Sequence, residues 1–285
     1  MYAERVFVMY KLVKAQCAAM VRKKEFTFTF LLILGFVIAS HGYQMYTYYG
    51  MEKSEMLAFP EMSLLGSNNT FGYFFLKLYP FILVLPGGLS VAQDRQSSVD
   101  LLYIQRVGRK KYYFSKYLAV FLTSFFCFTV PFLLETLFQV TAFPMDVHGN
   151  AFGDALYGEG YSRICDYTLF SLYYDHPVIY SMVMSVYFGL LSAVLAMLPS
   201  AISCVYYKYK AYLVLPVYLL IYALDVLGAW GNSSSNGNKV HFSALVSRCD
   251  FVVHTEQFLR LLIVCIGIML VSIGIYSYTA RKDTV

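Results

Sequence analysis

PVIYSMVMSVYFGLLSAVLAMLPSAISCV, residues 177–205, contains no Asp, Glu, Lys, Arg or His. A helix needs about 20 mostly apolar residues to cross the ~30 Å hydrocarbon core of a bilayer, and this stretch has them. Five more stretches pass the same test: Phe26 to Tyr48, Phe71 to Ala92, Tyr117 to Ala142, Ala211 to Trp230 and Phe258 to Tyr278. None alternates polar and apolar residues as a barrel strand would. The expected fold class is therefore an all-α polytopic membrane protein with six transmembrane helices, a single transmembrane domain over residues 1–285.

Composition agrees. The chain is 59% hydrophobic and 14% charged, with a mean hydropathy of +0.56. Soluble domains average about 45–50% apolar and about 25% charged residues, so a soluble fold of this chain would expose large apolar patches. Disorder, collagen, coiled coil and small disulfide scaffold are excluded on the same figures.

The formal net charge of +5 would hint at nucleic acid if it were spread evenly. It is not. Sixteen of the 22 Lys and Arg residues fall before span one, between spans two and three, between spans four and five, or after span six. Only Glu4, Glu25, Asp94, Asp100 and Asp283 accompany them, so that side carries +11 and the remainder −6. Basic loops stay inside, which predicts cytoplasmic termini and a multi-pass protein of the cell membrane. Anionic lipid accounts for the basic loops without any nucleic acid.

Residues 1–25 have no charge-free apolar core, so no cleavable signal peptide is expected. Tyr2, Val6, Met9, Val13, Cys17 and Met20 recur at three- and four-residue spacing, which predicts an amphipathic helix lying in the inner membrane interface.

The least generic segment is the link 93–116, QDRQSSVDLLYIQRVGRKKYYFSK. Ser97 and Ser98 are candidate N-caps, and Asp100 in the first turn complements the helix dipole. Val99 to Ile104 then places Leu101, Leu102, Tyr103 and Ile104 outside the bilayer. Four adjacent apolar residues there need a cover. Either they pack on the protein's own inner helices or lipid, or they dock into a groove on a cytoplasmic partner.

AQDRQSSVDLLYIQRVGRKKYYFSKYLAVFL, set between an N-terminal amphipathic helix and six spans, resembles the permease subunits of type-2 ABC exporters. Arg106, Gly108, Arg109, Lys110, Tyr112 and Lys116 fit that family's basic turn after a short cytoplasmic coupling helix. Within the family, the chain is similar to Gram-positive exporters of amphipathic peptides, such as phenol-soluble-modulin or lantibiotic-immunity transporters. The resemblance implies that Val99, Asp100, Leu101, Leu102, Tyr103, Ile104, Arg106, Arg109 and Lys110 couple to a separate nucleotide-binding ATPase subunit. It also implies a second permease copy or sibling permease, and re-entrant helices before the last span. ATP and Mg would be bound by the partner, with no cofactor and no catalytic residue in this chain. The sequence lacks a G-x-x-x-x-G-K-[ST] phosphate loop.

Lys77, Glu135, Asp225 and Arg260 lie at similar depth in the outer half of the spans. They either pair with one another to set helix packing or line an outer cavity for an amphipathic cargo such as a peptide, toxin or drug. Cys165 and Cys249, one in each long outer loop, are the candidates for a disulfide. His41 has no second ligand at metal spacing, so no metal site is expected. Pro86-Gly87-Gly88, Pro131, Pro199 and Pro216 mark helix breaks, the first either a hinge above the coupling helix or a packing kink.

Two alternatives stay open: a secondary transporter or channel outside the ABC class, and a sensor or immunity subunit that shares the fold without transporting. The repeats of the former are not evident. An intramembrane enzyme is the weakest reading, because H-E-x-x-H and G-x-S-x-G are absent.

Overall fold

The computed structural model describes residues 2–52, 56–66, 69–145, 147, 169–206, 208–230, 242, 246 and 255–281. Ten α-helices are described: α1 (Tyr2–Val21), α2 (Lys24–Thr47), α3 (Thr70–Leu83), α4 (Ser90–Gln96), α5 (Val99–Val107), α6 (Arg109–Ala142), α7 (Phe170–Asp175), α8 (Pro177–Ser203), α9 (Val214–Trp230) and α10 (Thr255–Arg281). A π-turn, Val84–Gly88, joins α3 to α4, and a 3-10 turn, Lys210–Leu213, precedes α9. There is no strand among the described residues.

Five helical stretches are long and apolar enough to cross a membrane: Lys24–Thr47, Thr70–Gly88, Arg109–Ala142, Pro177–Ser203 and Leu261–Arg281. The chain is a multi-pass membrane protein of helical type. The expected fifth span, 211–230, is different. Its first residues go into the 3-10 turn, leaving α9 with 17 residues, about 25 Å at 1.5 Å per residue, against a ~30 Å core. α6 errs the other way. Its 34 residues reach about 50 Å, so its basic first turns extend past any apolar layer.

α6 and α8 form the centre. Between helices in lipid there is little hydrophobic drive, so close packing of small residues holds them together. α8 buries Ser181, Ser185, Gly189, Ser192, Ala193 and Ala196. At Gly189 the approach is closest: a Cβ there would sit 1.8 Å from Thr129 Oγ1 of α6. Above this contact, Phe75, Tyr79, Phe128, Phe132 and Phe188 interlock, the tightest pair being Phe132 and Phe188 at 4.8 Å between ring centroids. The Tyr79 hydroxyl and Ser192 Oγ lie 2.9 Å apart.

α1 is a helix, as its spacing predicts, and the stripe of Val13, Cys17 and Met20 faces protein. Met20 is buried against Ala119 and Val120 of α6, and Gln16 Nε2 donates to Ser115 Oγ at 2.9 Å. Pro131 and Pro199 sit inside continuous helices and Pro216 in the first turn of α9, so they do not break the chain as expected. Pro86-Gly87-Gly88 does change the geometry, as the π-turn, closed by Leu89 N–H to Val84 O at 3.2 Å. A Cβ on Gly87 would meet Ser124 Oγ at 2.6 Å, so the turn is wedged against α6.

Candidate functional site

The basic end of the bundle is organised around α4. Seven residues long, it is pinned on three sides. Asp94 accepts from Lys116 Nζ of α6 at 2.6 Å, from Lys23 Nζ between α1 and α2 at 3.1 Å, and from the Tyr112 hydroxyl at 3.1 Å. Lys116 is only 3% exposed. Next to it, Arg95 donates to the Tyr113 hydroxyl at 2.8 Å and to the carbonyl of Cys204, just past the end of α8. Gln93 bonds Glu25 of α2. Burial works to raise the Asp94 carboxyl, but Lys116 and Lys23 outweigh it and hold the group below its ordinary value.

α5 is built on this anchor. Ser97 and Ser98 do not cap it: Ser97 Oγ turns back to the α4 carbonyls of Gln93 and Asp94, at 2.8 and 3.2 Å. Ser98 makes no side-chain cap and takes a left-handed φ of 56°. The Asp100 carboxylate instead takes one of the first-turn amides, Leu101 N–H at 2.9 Å. Asp100 also approaches Arg95 at 4.0 Å. Burial raises the Asp100 carboxyl above its ordinary value, against the pull of Leu101 N–H and Arg95.

The apolar run divides. Leu101 and Leu102 are 54% and 59% exposed, with Val99 beside them, whereas Tyr103 and Ile104 pack inward on Tyr112 and Tyr113. Tyr103 stacks on Tyr112 at 6.0 Å. The self-packing reading therefore holds for half of the run: Tyr103 and Ile104 cover the protein's own helices, while Leu101 and Leu102 stay uncovered. Arg106 and Lys110 are exposed, and Arg109 is half-buried beside a groove. That groove, about 490 Å³, lies along one flank of α5 toward the ends of α8 and α10. A second of about 540 Å³ lies along the other flank toward Lys23 and Glu25. Gly108 closes α5 with φ +83° and ψ 150°, a region that essentially only glycine occupies, and starts α6 at a sharp corner.

At the opposite end, Lys77 and Glu135 are the two of the four charges expected at one depth whose side chains are described, and they do not pair with each other. Lys77 is exposed on α3, its ammonium 5.2 Å from the Tyr73 ring centroid. Glu135 is fully buried, its carboxylate taking the backbone N–H of Leu64. The ion pair of Lys77 with Glu135 does not form. The side chains of Asp225 and Arg260 lie outside the described residues, as do Cys165 and Cys249. His41 packs on Phe138 and Phe143.

Glu135 belongs to a feature that the pattern of spans does not signal. Residues 56–66 between α2 and α3 fold into the bundle, with Ala58, Phe59, Met62, Leu64 and Leu65 all buried. Gln139 Nε2 donates to Met62 O at 3.0 Å, Asn69 Nδ2 to Ser63 O at 3.0 Å, and the Tyr173 hydroxyl to Glu61 at 3.2 Å. The segment is a plug. Its density of apolar residues outside any span was the available signal. For Asp94 and Lys116 the signal was weaker: a carboxylate on the +11 side is bound to find cations, but which ones depends on the packing.

No protein-family model, no curated protein and no solved structure matches this chain.

Proposed function

We propose that the chain is the membrane-spanning subunit of an ATP-driven exporter of the type-2 ABC class, and that α5 is the helix on which a separate nucleotide-binding subunit docks. One observation carries this reading: a nine-residue helix at the basic end presents Leu101 and Leu102 to water from a rigid support. Exposed leucines on a mobile loop would be a liability; here α4 and the Gly108 corner fix them in place. ATP and Mg are held by the partner subunit, and this chain performs no chemistry of its own.

In this reading α9 also crosses, as the fifth of six spans, both termini lie in the cytoplasm of a bacterial cell, and the basic end is the inner one. Phe242 and Val246 support re-entry of the chain between α9 and α10, because both are buried in the main core and Phe242 stacks on Tyr79 at 5.7 Å. Coupling follows from the anchors. A pull on α5 reaches α4 directly, and from Asp94 and Arg95 it reaches α6, α8 and the α1–α2 junction together. That is the geometry of a rigid-body switch rather than a local one. The π-turn carries the same motion into α3. The outer end would open by withdrawing the 56–66 plug, releasing an amphipathic cargo between two permease copies or sibling permeases.

The test is co-purification from native membranes. Wild-type chain should bring with it a vanadate-sensitive ATP hydrolase that labels with an azido-ATP analogue. Leu101→Asp/Leu102→Asp should lose that activity while keeping the wild-type melting profile. Retention of the hydrolase by the double variant sinks the proposal.

A further inference from the structure

At the basic end, an open cavity of about 430 Å³ lies between α1, the first turns of α6 and the last turns of α10. Its rim carries three cations, Lys110, Lys111 and Arg281, and among the described residues no carboxylate lines it. Its floor is apolar and aromatic, including Met9, Phe114, Tyr117, Ile273 and Tyr276. That floor is rigid: Tyr117 and Tyr276 meet edge to face at 5.4 Å, and the Tyr276 hydroxyl lies 2.5 Å from Ser200 Oγ of α8. The α6 first turn faces the same rim, and Gly108 gives its amides no side-chain cap.

The apolar part does not stop at the cavity. Phe114 and Leu118 are one turn apart on α6, and Ile266, Leu270 and Ile273 follow one face of α10; all five are exposed. They form a strip leading from the cationic rim along the two apolar helices. A water-soluble anion would use the rim and leave the strip bare. A neutral lipid would use the strip and leave three like charges facing one another.

The geometry points to a binding site for one anionic glycerophospholipid, its phosphate among Lys110, Lys111 and Arg281 and an acyl chain along the α6–α10 strip. The site draws only on the membrane-spanning character of the chain, not on the exporter reading. It accounts for two basic residues, Lys111 and Arg281, that the docking helix does not use.

Full-length protein in detergent, challenged with phosphatidylglycerol or phosphatidylcholine of identical acyl chains, provides the test by native mass spectrometry. One phosphatidylglycerol should be retained in clear preference to phosphatidylcholine. Lys110→Gln/Lys111→Gln/Arg281→Gln should weaken retention by about fivefold per charge, about 100-fold in all. Lys14→Gln/Lys24→Gln/Lys208→Gln, an equal charge loss away from the cavity, should leave it unchanged. Ile273→Trp, which fills the strip with every charge intact, should also lower retention, so the result does not hang on the folding of the triple variant. Equal loss in the control triple, equal retention of both lipids, or displacement by inorganic phosphate with Ile273→Trp silent would each overturn the assignment.

Discussion

The two ends of the bundle are closed by different chemistry. At the basic end, charge is set against charge: the buried Lys116 and the half-buried Lys23 converge on Asp94, and Arg95 ties α6 to the end of α8. At the plugged end, side chains bind backbone: Glu135 and Gln139 hold the main chain of Leu64 and Met62. The first arrangement is strong and unforgiving, since any movement that parts the ions strands a charge in low dielectric. The second holds main-chain groups, and a backbone amide or carbonyl can turn to water on release, although the Glu135 carboxylate is itself fully buried. A rigid end next to a helix with exposed leucines and a releasable end beneath a plug are suited to transmitting motion and to yielding to it.

Substitutions can break this contrast, the largest effect being expected at the basic end. Lys116→Met leaves the Asp94 carboxylate buried with one partner gone and should cost about 3–5 kcal/mol, read as a fall in melting temperature. Adding Asp94→Leu should recover part of that loss, so the double-mutant cycle reports coupling; strict additivity would show that the pair does not act as a unit. At the plugged end, Glu135→Leu leaves the Leu64 N–H unmet at about 1–3 kcal/mol, and Glu135→Gln, which still accepts, should cost less than half as much. If the glutamine variant is as damaging as the leucine one, the carboxylate has a role beyond holding the plug.

Gly108→Ala forces a side chain into a glycine-only conformation and should cost about 1–2 kcal/mol. Its signature is weakened ATPase co-purification at unchanged helix content. The smallest expected effect is one of pH. Asp94 has a carboxyl held below its ordinary value, so its stabilisation is complete above the ordinary carboxylate range and is lost as pH falls through the lower folded-state value. Asp100 is raised and runs the opposite way, favouring the folded state as it protonates. Melting curves between about pH 7 and about pH 3 should therefore show a shallower acid limb for Asp94→Asn than for wild type. An unchanged limb would remove Asp94 from the acid response.

Much of the fold was legible because lipid leaves little choice. Charge-free runs such as 177–205 must be helices, and α8 starts at the residue where the run does. The amphipathic stripe of α1 was legible from its three- and four-residue spacing, and the helix at 99–107 from Asp100 in its first turn and from serines that the fold then uses differently. Depth and partnership were not. Lys77 and Glu135 were placed at one level by counting along helices, yet they occupy different sides of theirs. The serines before α5 looked like caps because that is their commonest use; a left-handed Ser98 diverted them. The plug was hidden because residues 56–66 carry no period, and a loop is buried only when its backbone finds partners, here Glu135 and Gln139 from a distant helix.

The π-turn at Val84–Gly88 also alters how the neighbouring sequence must be projected. It holds one residue more than an α-turn, so α4 is rotated by about 100° from the azimuth an unbroken helix would give it. A helical wheel drawn straight through 70–96 would put Asp94 in the wrong sector relative to Tyr79. Deleting one residue within the turn would preserve the azimuths of α3 and α4 while removing the bulge. A substitution that straightened the turn would keep the chain length and misaim Asp94 away from Lys116. In this stretch, chain length and not residue identity sets which face meets α6.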